Sequence, residues 1–264
     1  MNAGAGPTTR PADPAGTRLA IAAVAGAGAL AAVVLIVWQL SPERRLLGHA
    51  SRGAAPAGAA MVAWFTVSWL LMAAATMLPT SIPLVHAFAR VVDGRADALC
   101  LVAKMVVGYL AVWTAAGLVL ATFDVGLHTL ADHTPLGDHT WVILAATLAI
   151  AGGYQMSAHS NRCLRACRSP FSFLAPRWSG GPSAGTQATV IGIDYGMSCL
   201  GCCASLMLLM FAVGMTSPLV MIGLGGVAAA HKLAPWGPAV ARVTGWVLLA
   251  AGLSVVAVHF ARVR

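Results

Sequence analysis

Residues 19–40, LAIAAVAGAGALAAVVLIVWQL, run for 22 positions without a charged side chain. In lipid, a stretch like this must pair every backbone N–H and C=O within the chain, which only a helix or a closed β-barrel achieves. A barrel strand needs only about ten residues in strict alternation, so long, uniformly apolar runs point to helices. Runs of the same character follow at about 57–78, 98–121, 140–157, 189–214, 217–231 and 238–260. The stretch 217–231 is short and glycine-rich. The pattern therefore predicts an all-α protein, a polytopic transmembrane helix bundle with six to seven spanning helices. Pro79 and Pro83, Pro170 and Pro176, Pro218, Pro235 and Pro238 stand at the junctions, where helices stop.

Composition agrees with a lipid solvent. The chain is 59% hydrophobic and 9% charged, where a soluble domain carries about a quarter charged residues. Residues 1–17, rich in Gly, Ala, Pro and Thr, are predicted to form a disordered tail. Residues 18–56 form the first transmembrane helix and its loop, and 57–264 the remaining membrane domain. The first run is too long, and starts too late, for a cleaved signal peptide.

The net charge of +8 follows from basic residues flanking the spans. No basic helix interleaved with aromatics is present, so a nucleic-acid partner is not expected. Counted over seven spans, one side holds ten Lys and Arg and the other five, with Lys104 inside a span. The richer side includes the N-terminus and the loop NRCLRACRSP, which the positive-inside rule assigns to the cytoplasm. No P-loop or phosphorylation-type motif indicates ATP use.

Five of the six cysteines lie at helical spacing within two groups. In YGMSCLGCCASLMLLMF, Cys199, Cys202 and Cys203 are related by i, i+3 and i+4, so they share one helix face. The same face continues through Leu206, Met207 and Met210, with Asp194 and Tyr195 one turn before it. Thiolate and thioether ligands favour Cu(I), and Zn(II) also accepts thiolates. Buried cysteine and methionine also serve as plain packing. Three thiols on one face beside an ionisable Asp194 favour a site.

Cys163 and Cys167 are one helical turn apart in a basic segment, spaced to share a metal or form a reactive pair. Met72 and Met77 in WLLMAAATMLPTSIP read, by themselves, as core packing. The loop FDVGLHTLADHTPLGDH carries Asp124, His128, Asp132, His133, Asp138 and His139 without Lys or Arg. Its imidazoles and carboxylates have the chemistry of a metal-capture patch, but the segment reads first as a polar, flexible loop whose histidines are solvated. His231 with Lys232 closes the sixth run, His86 and His159 lie near helix ends, and Cys100 is expected to pack inside the third helix.

Taken in order, WLLMAAATMLPTSIP, YQMSAHSNRCLRACRSPFSFL and GIDYGMSCLGCCASLMLLMFAVGMTSPLVM resemble the bacterial family of predicted metal-binding integral membrane proteins, a domain of unknown function. The similarity runs from about Trp69 to Pro235. It implies a multi-pass protein of the bacterial cytoplasmic membrane and a metal site drawing on Met72, Met77, Cys163, Cys167, Cys199, Cys202 and Cys203. Thr76 stands where the family often has the first paired methionine, Ala204 where it has tryptophan, Ser160 where lysine is frequent, and His231 where glutamate precedes Lys232. His231 would bind a metal through nitrogen.

The expected ligand set is thus these seven residues with Met207, Asp194 and His231, and the expected ion is Cu(I), with zinc as the alternative. The function expected is metal transport, delivery or homeostasis, with the lipid bilayer, the metal ion, and a metallochaperone or another membrane protein as partners. Two other classes stay open at this point. One is a membrane thiol–disulfide redox protein using Cys202 with Cys203, or Cys163 with Cys167. The other is a structural subunit of a membrane complex in which the thiols only pack.

Overall fold

A computed structural model describes residues 14–40, 59–132, 140–213 and 218–263. Its elements are α1 (Pro14–Leu40), α2 (Ala59–Thr76), a short 3-10 turn (Pro79–Ser81), α3 (Ile82–Val91), α4 (Ala98–Asp132), α5 (Thr140–Met156), α6 (Ala158–Arg168), α7 (Pro170–Leu174), α8 (Ala184–Val213), α9 (Pro218–Leu233) and α10 (Gly237–Val263). Every regular element among the described residues is helical. Of the tail expected over 1–17, residues 1–13 lie outside the described residues and 14–17 open α1.

Four helical segments are long and apolar enough to cross a membrane: Ala15–Trp38, Ala98–Phe123, Ala184–Met210 and Gly237–Arg262. Two bent pairs raise the number to six if each counts as one span, namely Val62–Thr76 with Pro79–Val91 (47°) and Trp141–Met156 with Ala158–Arg168 (59°). The sixth expected run, 217–231, falls short of a span among the described residues. α9 has 16 residues, about 24 Å of helix against the ~30 Å of a hydrocarbon core. Leu30, Val37, Val107, Val119, Trp246 and Leu253 are all exposed on the outer faces of α1, α4 and α10, a large apolar surface compatible with helices that could cross a membrane.

The bends have local causes. Pro79 has no N–H to continue the α2 ladder, and just beyond the break the Met77 and Leu78 carbonyls accept from the hydroxyls of Thr80 and Ser81 (2.8 and 2.7 Å). Between α5 and α6 the backbone of Ser157 is extended (φ −65°, ψ 153°), and its side chain caps α6 by accepting from Ser160 N.

Helices approach closely where side chains vanish. On α8 the small residues Ala184, Ala188, Gly192 and Gly196 recur every fourth position. A Cβ at Gly192 would strike the Met105 carbonyl, one at Gly196 would meet Val112, and one at Gly108 of α4 would strike Thr189. α5 and α10 pair by the same device, Gly152 lying on Gly245 and Leu249, and Gly252 on Ala145 and Leu148. Small residues at such crossings let the backbones of neighbouring helices pack directly against one another.

The consequence for function is where three helices end. α2 ends beside Tyr109 and Cys199, since Tyr109 Oη donates to Met77 O (3.1 Å) and lies 3.1 Å from Cys199 Sγ. α5 ends beside the next turn of α8, with Tyr154 Oη donating to Gly201 O (2.7 Å) and Gln155 accepting from Ser205. α9 ends there too, with Lys232 Nζ 2.8 Å from Cys199 Sγ. Interrupted helix ends thus surround the middle of continuous α8.

Candidate metal centre

The centre is built on the middle turns of α8, from Cys199 to Cys203. Cys199, Cys202 and Cys203 are all buried, as are Leu206, Met207 and Met210 further along. Cys203 Sγ donates to Cys199 O (2.9 Å), and Cys202 Sγ lies 3.2 Å from the same carbonyl. The helix therefore gives the thiols local partners one turn back. Cys202 Sγ also lies 3.8 Å from Cys167 Sγ of α6.

Two features bring α6 against α8. Gly201 leaves room for Cys163, because a Cβ there would press on Cys163 Sγ. Tyr195, one turn before Cys199, donates from Oη to the Cys167 carbonyl (3.1 Å). Cys163 itself is half-buried, with Sγ 3.7 Å from His159 Nε2. The six cysteines are all free, and Cys100, expected to pack, is exposed on α4.

A methionine and a lysine complete the cluster. Met77, fully buried, sits where α2 breaks, and its Sδ lies 3.4 Å from Lys232 Nζ. The same ammonium donates to Thr80 Oγ1 (3.3 Å) and to Cys199 Sγ (2.8 Å). Lys232 is positioned by the end of α9, which Arg168 holds. The Arg168 guanidinium donates to the carbonyls of His231 (2.9 Å), Lys232 (3.2 Å), Ala234 (2.6 Å) and Pro235 (3.2 Å). A cation at the C-terminal end of a helix satisfies its orphan carbonyls and complements its dipole.

The remaining expected ligands lie elsewhere. Met72 is buried higher on α2, its carbonyl taking the Thr76 hydroxyl (2.8 Å). Met207 borders an open apolar groove of about 700 Å³ with Trp69, Leu120 and Met197. Asp194 pairs with Arg177 (3.0 Å), which also stacks over the Phe173 ring at 4.0 Å. His231 is buried in a different network, with Nδ1 3.4 Å from Gln155 Nε2 and Nε2 3.2 Å from Thr244 Oγ1. His133, Asp138 and His139 lie outside the described residues, as do the side chains of Asp124, His128 and Asp132.

Among the described residues, no three His, Cys, Asp or Glu side chains converge on one ion position. The thiols are neighbours in a network, bonded to one another and to backbone, and Met77 adds a donor of a different type. Sequence reasoning missed Lys232, Tyr109 and Arg168 as parts of this centre. The one available signal was a lysine ending an apolar run, since ionisable groups at membrane depth are kept for a purpose.

A family model described as PpoB2, a copper chaperone, matches residues 66–255. These bounds take in all three sulfur-bearing segments. No curated protein and no solved structure matches the chain.

Proposed function

The chain belongs to the PpoB2 copper-chaperone family, and on that premise we propose that it is an integral membrane protein that carries Cu(I) on buried sulfur and delivers it to a partner. The observation that supports this most is the Cys167–Cys202 sulfur pair at 3.8 Å, which joins two motifs through the interior. Two sulfurs bound to one tetrahedral ion at about 2.3 Å each stand about 3.8 Å apart, so the separation already suits a shared metal. Soft thiolate and thioether donors select Cu(I) over hard ions, and a d10 ion needs only two or three of them.

In this reading Cys167 and Cys202 hold the ion first, and Cys199 with Met77 forms the inner end of the path. Half-buried Cys163, one turn before Cys167, receives the ion at the outside. Movement by exchange between neighbouring sulfurs avoids a free ion in a low-dielectric interior, where an unpaired charge is costly. Asp194, His231, Met72 and Met207 are left out of the set, because their contacts lie with Arg177, Gln155 and Thr244, the α2 interior and an outer groove.

The test is anaerobic Cu(I) titration of the purified full chain against a chromophoric chelator, with zinc as competitor. Binding in the wild type that disappears in the Cys199→Ser/Cys202→Ser/Cys203→Ser variant is expected. Undiminished copper binding in that folded variant would sink the reading.

A further inference from the structure

Lys232 is buried, and its hydrogen-bonding partners are a thiol, a thioether and a hydroxyl: Cys199, Met77 and Thr80. An ammonium has three N–H bonds to donate, so the three partners use all of them. No carboxylate pairs with it among the described residues. A charge in the interior without an opposite charge beside it is strongly disfavoured. Helix packing alone would be served better by methionine or leucine at this position. The nitrogen also lies between two of the sulfurs assigned above to copper.

We propose that Lys232 is a placeholder cation for the copper position. Resting on the copper reading of the preceding subsection, it says how the site stays balanced when empty and how it lets go. The ammonium and Cu(I) carry the same charge, so one replaces the other against Cys199 and Met77 without changing the charge enclosed by the helices. In an interior of low dielectric that equality matters more than it would in water. As the ion leaves, the ammonium returns to the sulfurs and opposes recapture. A carrier needs release as much as binding, and a placeholder supplies it.

The local architecture allows the exchange without moving helices. Lys232 is the penultimate residue of α9, and Arg168 clamps the carbonyls around it, so the backbone stays in place. The ammonium rides on a flexible four-carbon stem, which reorients by rotamer changes alone. An open groove of about 370 Å³ between α1, α2 and α9 adjoins Thr80; it is apolar apart from the Thr76 and Thr80 hydroxyls, so it takes the carbon stem of the withdrawn side chain while the ammonium reaches its open side.

Lysine labelling reads the exchange directly, because Lys104 and Lys232 are the two lysines of the sequence. The purified wild-type chain is reductively methylated without metal and with stoichiometric Cu(I), and each lysine is followed by mass spectrometry. Exposed Lys104 labels equally in both and serves as the internal reference. Lys232 is expected to label about tenfold faster in the copper-loaded protein, as its withdrawn state becomes the populated one. In Lys232→Leu, which removes the charge without adding a sulfur donor, Cu(I) is expected to dissociate about tenfold more slowly. Lys232 labelling that is unchanged or slower with copper bound overturns the placeholder while leaving the copper reading intact. A folded Lys232→Leu variant that releases copper as fast as wild type does the same. If that variant does not fold, the wild-type labelling decides. Failure of the wild type to bind Cu(I) at all overturns both.

Discussion

The Cys202 sulfur lies 3.8 Å from the Cys167 sulfur across 35 residues of chain. α6 reaches α8 because Gly201 has no side chain to keep Cys163 away and because Tyr195 ties down the Cys167 carbonyl. Two helices with separate sulfur pairs thereby form one cluster, and that proximity governs how substitutions should behave.

If Cys167 and Cys202 share one ion, either serine substitution removes the same interaction. Cys167→Ser and Cys202→Ser are each expected to weaken Cu(I) binding by about tenfold, roughly 1.4 kcal/mol. The double variant is expected to lose little more than either single one, since coupled partners are non-additive. Chelator competition on the four proteins measures the cycle, and fully additive losses would show that the two thiols act independently.

Arg168 holds the end of α9 through four carbonyls. Arg168→Gln keeps some hydrogen-bonding ability and loses the charge, and is expected to destabilise the protein by about 2 kcal/mol. Arg168→Lys retains the interaction with the helix dipole and should recover a part of this, about 0.5 kcal/mol. Thermal unfolding in detergent reports both. Because α9 carries Lys232, the two variants should also change Cu(I) affinity in the same order, and an unchanged melting temperature in Arg168→Gln would remove the clamp from the account.

Gly192 and Gly153 make a matched pair of tests on helical glycines. A Cβ at Gly192 would enter the Met105 carbonyl, whereas a Cβ at Gly153 meets nothing within 4 Å. Gly192→Ala is therefore expected to force α4 and α8 apart at a cost of about 1–3 kcal/mol. Gly153→Ala should be neutral or stabilising by up to about 1 kcal/mol through helix propensity. Equal melting temperatures for the two variants would mean that close approach at Gly192 does not hold this interface.

Asp194 and Arg177 form an ion pair with both side chains more than a third exposed (44% and 36%). Exposed pairs contribute little, so Asp194→Asn is expected to cost less than about 1 kcal/mol. With Asp194 engaged by Arg177 and not by sulfur, Cu(I) affinity should be unaltered. A marked loss of copper binding in this variant, with the melting temperature intact, would return Asp194 to the ligand set.

Much of the architecture could be read in advance because it depends on local pattern. Apolar runs near twenty residues, proline at their ends and the i, i+3, i+4 spacing of Cys199, Cys202 and Cys203 are properties of consecutive residues, and helix geometry follows from them. That local logic predicted helices, where they stop and which face of α8 carries sulfur. It could not say that α9 stops at 16 residues beside Cys199, or that His231 turns to Gln155 and Thr244 while Lys232, its neighbour, turns to Met77. Those outcomes depend on how far each helix slides and rotates against the next. Glycines at crossings and side-chain hydrogen bonds across 28 to 155 residues of chain set both. The sequence by itself determined the helices and the sulfur stripe; only tertiary packing decided which helix ends meet it, because depth and rotation are relations between segments and not properties of any one.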